Sequence, residues 1–281
     1  MAVWFVTDAA QGLGKLIATQ SLQRGNRVIA GGADAATGLP RDVGQVLSVP
    51  LNILDEGSVK RAANHAMSRF GRIDVLVNSV HHRLHGAVEE TSTAEAMRVF
   101  EINVLGLLNV ARAVLPVMRR QRSGRVLTIS SAASITAQPG WGLSAAGASA
   151  LGAVGDALRE ELLPLGILVT TIEPGRLAGD APATASRRTL DDYPTSPEDV
   201  VPTTGKRMLG DPGKVASVIV DLASATDPPA RLRLGADAVA SLEGRLDLDA
   251  EELDAWRPTS LSIAPDPPSH VNGFHPNGRP I

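Results

Sequence analysis

The sequence predicts an α/β protein built on a doubly wound parallel sheet. Three observations carry this expectation. Short apolar runs rich in β-branched residues alternate with longer stretches of helical periodicity along most of the chain. The short runs are apolar at successive positions, the pattern of strands covered on both faces. The first run leads through a glycine-rich loop into the first helical stretch, the kind of junction at which such sheets bind ligands beyond the carboxyl ends of their strands.

The elements follow in order. Residues 3–7 (VWFVT) read as a strand, and 13–24 as an amphipathic helix with Leu13, Leu16, Ile17 and Leu22 on or near one face. Residues 27–30 and 46–50 read as the next two strands. A helix over 57–70 carries Val59, Ala62, Ala66 and Phe70 at helical spacing, and 73–78 (IDVLVN) is a strand with almost no polar alternation. The stretch 93–120 predicts a long helix with a kink at Pro116. Strand 125–130, helix 143–163, strand 168–172, helix 213–223 and strand 231–234 complete the series. Residues 176–212 hold Gly, Pro, Ser, Thr and charges with little periodicity, a length that inside a compact domain signals a lid. The expected organisation is one domain over 1–262 with a lid at about 177–210, then a Pro-rich tail over 263–281 packed on its own core or on a partner chain.

Composition limits the function classes. The 281 residues carry 27 Lys+Arg and 30 Asp+Glu, a net charge of −3, which argues against nucleic acid as the main partner. Cysteine is absent, so disulfides, cysteine-ligated zinc, iron–sulfur clusters and a thiol nucleophile are excluded. No apolar run reaches the roughly 18–20 residues of a membrane span, and the N-terminus lacks the pattern of a signal peptide. The expectation is a cytoplasmic protein with no membrane or metal site.

The loop TDAAQGLG at 7–14 carries the first chemistry. Glycines let the backbone approach a pyrophosphate, and the following helix supplies free N–H groups and the positive end of its dipole. Gly12 and Gly14 stand where that job needs them, while Asp8 replaces the first glycine of such a loop. A structural role alone, packing helix on strand, is the competing account of these glycines.

Together with later motifs, this loop resembles that of the short-chain dehydrogenase/reductase family, over about residues 1–262. TDAAQGLG is similar to the family's TGxxxGxG; LNILD at 51–55 stands at its strand-end LDVTD. NSVHH at 78–82 stands at NNAG, EINVLG at 101–106 at N-V-x-G, and RVLTISS at 125–131 at the strand that delivers the catalytic serine. IEPGR at 172–176 is similar to the Pro-Gly turn beside the nicotinamide, and RLGADA at 233–238 to the last strand. The resemblance implies a Rossmann-like fold, and homo-oligomers formed through the helices at about 93–120 and 143–163. It also implies a nicotinamide dinucleotide held by Thr7, Gln11, Gly12, Leu13, Gly14 and Lys15, by Asn52 and Ile53, by Asn78, and by Pro174 and Gly175. An acid at the end of the second strand would favour NAD. Gly31 and Gly32 stand there, and with Lys15 they tilt the expectation to NADP, with NAD not excluded.

The catalytic pattern then breaks. The family's reductases use a serine, a tyrosine 13 residues later and a lysine four beyond that. With Ser131 as the serine and Asn103 as the catalytic asparagine, those positions hold Ser144 and Ala148. A serine hydroxyl is far too weak an acid near neutral pH to replace a tyrosine. Three readings follow. The first is a reductase whose substrate supplies its own proton, as in a ketone hydrogen-bonded to a phenol. Ser131 then aligns the carbonyl and Ser144 fills the missing acid's place. This reading resembles the atypical angucyclinone ketoreductases, and it implies NADPH and an aromatic polyketide ketone. The second recruits a new acid from His81, His82, His85 or Tyr193. The third is a non-redox member: a cofactor-sensing regulator, a cyclase or a partner subunit. His81, Trp141 and Tyr193 are the candidate substrate contacts, and Trp141 can stack on a flat ring.

Overall fold

Val3–Val6 form strand β1, and all four residues are buried because alternate side chains enter different layers. Trp4 and Val6 pack with Ile17 and Leu22, while Val3 and Phe5 pack with Val59 and Val114 on the opposite face. The computed structural model describes residues 1–32, 38–39, 44–193 and 209–263. After β1 come α1 (Gly12–Gln23), β2 (Arg27–Gly31), β3 (Val46–Val49), α2 (Glu56–Phe70), β4 (Val75–Asn78) and the two-residue β5 (Leu84–His85). Helices α3 (Thr93–Phe100) and α4 (Gly106–Gln121) flank a π-helical turn at Glu101–Leu105. Then follow β6 (Gly124–Ile129), α5 (Gly142–Leu162), β7 (Ile167–Pro174), the two-residue β8 (Thr184–Ala185), α6 (Pro212–Leu222), β9 (Arg231–Leu234) and α7 (Ala236–Leu261).

The main sheet has the order β3-β2-β1-β4-β6-β7-β9 and every pairing is parallel. This is the Rossmann-like α/β fold that the alternation of elements predicts. Helices α1 and α6 cover one face through Ile17, Leu22, Val215 and Ile219. Helices α2 and α4 cover the other through Val59, Ala62, Val110, Val114 and Met118. Each such Val, Leu, Ile or Met side chain contributes about 1.5–3 kcal/mol by leaving water, which outweighs the helix propensity of any one residue. The chain order reverses between β1 and β4, and that reversal opens the crevice at the carboxyl ends of the strands.

Local chemistry sets the boundaries. Asp55 caps α2 through the Gly57 N–H (2.8 Å), and Gly71 at φ +74° ends it. Ser92 and Glu95 form a reciprocal cap on α3. The helix runs through Pro116 to Gln121, and the departure from α geometry comes earlier, at Glu101–Leu105. The stretch Thr93–Gln121 is long and apolar enough to cross a bilayer by composition. Its buried residues Val99, Leu107, Val110, Val114 and Met118 nevertheless make it a sheet-covering helix.

The chain divides into two compact units, Met1–Leu242 and Glu243–Ile281, with the division inside α7 and earlier than the boundary at 262 read from the sequence. The predicted tail falls outside the described residues beyond Ile263, as does the predicted lid over 194–208. The described part of that lid is docked. β8 pairs in parallel with β5, and the Ser186 N–H donates to the His85 carbonyl (2.7 Å). The Glu90 carboxylate accepts the Leu190 N–H (2.8 Å), that of Glu95 accepts the Arg187 N–H (2.9 Å), and the Tyr193 hydroxyl donates to Glu89 (2.8 Å).

These bonds make the docking pH-dependent. The Leu190 and Ala87 N–H groups hold the Glu90 carboxyl below its ordinary range; Ser92, and then Arg187, do the same for Glu95. A lowered pKa stabilises the docked form above the ordinary glutamate value, and the stabilisation is lost as pH falls through the lowered values. Amide protection at Arg187 and Leu190, corrected for intrinsic exchange, is therefore expected to be high at about pH 7 and to fall below about pH 4. Glu90→Ala is expected to lower it at both. Protection that is independent of pH in the parent protein would contradict the assignment.

Candidate active site

At the switch point, β1 is fastened to β4 by Thr7. Its N–H donates to the Val77 carbonyl (3.0 Å), its hydroxyl accepts the Ser79 N–H (3.0 Å) and donates to the Asn78 side chain (3.5 Å). Asn78, 1% exposed, serves this strand junction. The two loop glycines do different work. Gly14 lies so close to the Asp8 carbonyl that any Cβ would collide with it, so Gly14 packs helix on loop. Gly12 adopts φ +53°, and a Cβ there would meet nothing within 4 Å. The Asp8 N–H donates to the Ser79 hydroxyl (3.3 Å), and burial raises the pKa of the Asp8 carboxyl against the lowering effect of the nearby Ala10 N–H and Gln11 side chain.

Helix α1 therefore begins at Gly12 with no side-chain cap and no acid in its first turn, which leaves its orphan N–H groups facing open space. Gly12, Leu13, Lys15, Leu16, Leu177, Ala178, Gly179, Asp180 and Pro212 line a cleft of about 290 Å³ beside it. Uncapped donors at the mouth of a cleft, next to a glycine with free space, fit the pyrophosphate of a dinucleotide. The Lys15 ammonium lies beyond β2, at 2.7 Å from where a Cβ on Gly38 would sit.

Other predicted contacts are more structural. The Asn52 side chain accepts the Leu54 N–H (3.0 Å) in a local turn. Ile53 is 6% exposed and fills the space above Gly106. Pro174 ends β7, and Gly175 leaves room for the Asp237 carboxylate, which accepts the Arg176 N–H (2.8 Å).

The catalytic end is organised by backbone bonds. Asn103 sits in the π-helical turn; it accepts the His82 N–H (2.7 Å) and donates to the His82 carbonyl (3.0 Å), fixing the loop after β4. Ser131 follows β6 and accepts the Ala133 N–H (3.2 Å), which leaves its own proton available to a ligand. The Ser144 hydroxyl is fully engaged instead. It donates to the Leu84 carbonyl (2.8 Å) and accepts the Leu84 N–H (2.8 Å), so it joins α5 to β5. Ala148 is buried, with its carbonyl near the Ser130 hydroxyl (3.4 Å).

The candidate substrate residues lie on different features. His81 keeps solvent exposure, although protein atoms crowd it enough that desolvation lowers its pKa. Desolvation also lowers His82 and His85, so at neutral pH all three are poor proton donors. His85 is 5% exposed and meets Trp141 edge-on, with ring centroids 5.1 Å apart. The Tyr193 hydroxyl is bound to Glu89, which raises its pKa. Sequence reasoning passed over Leu84, Glu90 and the ion pair Arg83–Asp180 (3.4 Å), which ties the loop after β4 to the rim of the cleft. Leu84 acts only through its backbone and so carries no side-chain signal. Glu90 stands in an ordinary acidic pair, and Arg83 and Asp180 are 97 residues apart.

Known proteins place this geometry. The family described as short chain dehydrogenase matches residues 2–189. "Oxidoreductase BOA17" of Botryotinia fuckeliana is 29% identical over 93% of this chain and 99% of its own length. "Oxidoreductase calM" of Penicillium decumbens is 29% identical over 90% of each. The crystal structure of a short-chain dehydrogenase from Streptomyces avermitilis superposes with a TM-score of 0.83 at 32% identity, covering 94% of this chain and all of that one. With its parallel sheet, its uncapped glycine loop at the switch point and a family match over most of its length, the chain belongs to the short-chain dehydrogenases and is an oxidoreductase.

Proposed function

We propose that this oxidoreductase uses NADPH to reduce a ketone on a polycyclic aromatic, polyketide-like small molecule, with the proton drawn from a phenol of the substrate or from solvent. It would work in the cytoplasm as a homo-oligomer. One observation carries the reading: the tyrosine position holds Ser144, whose only proton is already given to Leu84, and the lysine position holds a buried alanine. A reduced nicotinamide, when bound, supplies hydride to the carbonyl carbon. The chain's part is to hold and orient. The α1 N-terminus and Gly12 receive the pyrophosphate, and Lys15 favours the cofactor with the extra phosphate. Ser131 donates its free hydroxyl proton to the carbonyl oxygen. Asn103 keeps the His81–His82 loop in place, and half-buried Trp141 offers an aromatic surface. A phenol hydrogen-bonded to the ketone passes its proton to the oxygen as hydride arrives, and the phenolate recovers a proton from water. Its pKa of about 10 matches that of a tyrosine, so the substrate brings the acid that the protein lacks.

Two sets of variants test the reading. Lys15→Glu is expected to weaken NADPH binding in a fluorescence titration by about tenfold or more, near 1.4 kcal/mol, and to leave NADH binding within about threefold. Equal losses for both would remove Lys15 from phosphate selection. Ser144→Ala leaves the buried Leu84 N–H and carbonyl unpaired, so it should lower stability by about 1–3 kcal/mol and keep turnover within about tenfold of the parent where the protein is folded. Ser131→Ala should cost about 100-fold or more in turnover at unchanged stability. A loss above about 1,000-fold for folded Ser144→Ala, about 4 kcal/mol, would make Ser144 part of the chemistry and overturn the proposal.

A further inference from the structure

Helix α7 carries large apolar side chains in solvent: Val239 is 43% exposed, Leu246 58%, Leu253 52% and Trp256 65%. Single exposed apolar residues are ordinary, but a continuous row of them marks a contact surface. These four, with Leu242, recur at alternating spacings of three and four residues, and Asp249 holds the one remaining position of the row. That is the spacing of a coiled-coil seam, about 26 Å long at 1.5 Å per residue.

We propose that this seam pairs antiparallel with the same seam of a second copy of the chain. The charges beside it select both the partner and the direction. In the antiparallel register that aligns the two rows, Val239 meets Trp256 of the other copy, Leu242 meets Leu253, and Leu246 meets Asp249. The flanking positions then place Glu243 against Arg257 and Arg245 against Glu252, and Ala250 meets its own copy where the helices come closest. A two-fold axis doubles each of these opposite-charge pairs. A parallel pair in register keeps one kind of opposite-charge pair, Glu252 with Arg257, but stacks Asp249 on Asp249 inside the seam and leaves Arg245 facing Ala250 and Glu243 facing Ala238. Like charges at one layer of a dry seam oppose pairing. Within its own helix Asp249 is already neutralised by Arg245 (2.8 Å, four residues earlier), so opposite Leu246 its charge is matched, and its single position in the row fixes the register. This contact does not depend on which substrate the enzyme takes.

The absence of cysteine makes the test direct. Val239→Cys and Trp256→Cys alter exposed side chains about 26 Å apart on one helix, too far for a bond within the chain. With full-length protein and a mild oxidant, the variant carrying both cysteines is expected to form a disulfide-linked dimer at least tenfold faster than either single variant. Adding Arg257→Glu should slow that linkage, and Glu243→Arg should restore it in the same background. Linkage of a single variant as readily as the double would indicate a parallel seam and overturn the proposal. So would a double variant that stays unlinked, or a reversal of charge at Arg257 that Glu243→Arg does not rescue.

Discussion

Two hydrogen bonds between one serine hydroxyl and one residue's backbone organise the catalytic half of this protein. Ser144 gives its proton to the Leu84 carbonyl and takes the Leu84 N–H, and both groups are buried. Buried peptide groups are costly to leave unpaired, so these bonds hold the two-residue β5 in place. With β5 fixed, β8 has an edge to pair with, His85 is seated against Trp141, and the carboxylates of Glu90 and Glu95 meet the N–H groups of the segment beyond β8. The same bonds take Ser144 out of proton transfer, because its one donor is spent on structure. On the proposed function, a side chain at the position of the family's acid thus shapes the substrate side of the site and leaves the chemistry to other groups.

The cofactor side shows the reverse economy. Donors that a protein usually satisfies are left open: α1 starts without a side-chain cap, and Gly12 leaves free space before it. The Asp8 carboxylate in that loop is partly desolvated, which raises its pKa and so weakens its negative charge beside the opening. The histidines at the mouth are crowded by protein atoms, and desolvation keeps them neutral at neutral pH. Among the described residues, the site is thus rich in groups that bind and orient and poor in groups that give up protons. That asymmetry suits a substrate with an acidic hydroxyl of its own.

Much of the fold was legible because burial on both faces writes itself into composition. β1 is apolar throughout and β4 up to its last residue, and helices of the right period follow them. The glycine loop was legible as a motif, although Gly14 turned out to serve packing and Gly12 to leave the opening. β5 and β8 were not legible, since two residues give no periodicity and their partners lie 100 residues apart in sequence. Leu84 was invisible for a related reason: it acts through peptide groups that every residue has. The π-helical turn that carries Asn103 left no mark, and Pro116, the obvious place for a break, sits in continuous helix. Helix α7 was not placed among the elements, because Leu248 adds an apolar residue off its row and Asp249 an acid on it, which blurs the period.

The central claim is that the substrate supplies the acid this site lacks, and it is tested most directly with two ketones that differ only in the adjacent phenol, free in one and methylated in the other. With NADPH saturating, kcat for the free phenol is predicted to exceed that for the methyl ether by about 100-fold or more, the usual worth of a positioned acid, while their binding constants stay within a few fold. Equal kcat values for the two would mean that the proton comes from solvent or the protein and not from the substrate, and would contradict the account.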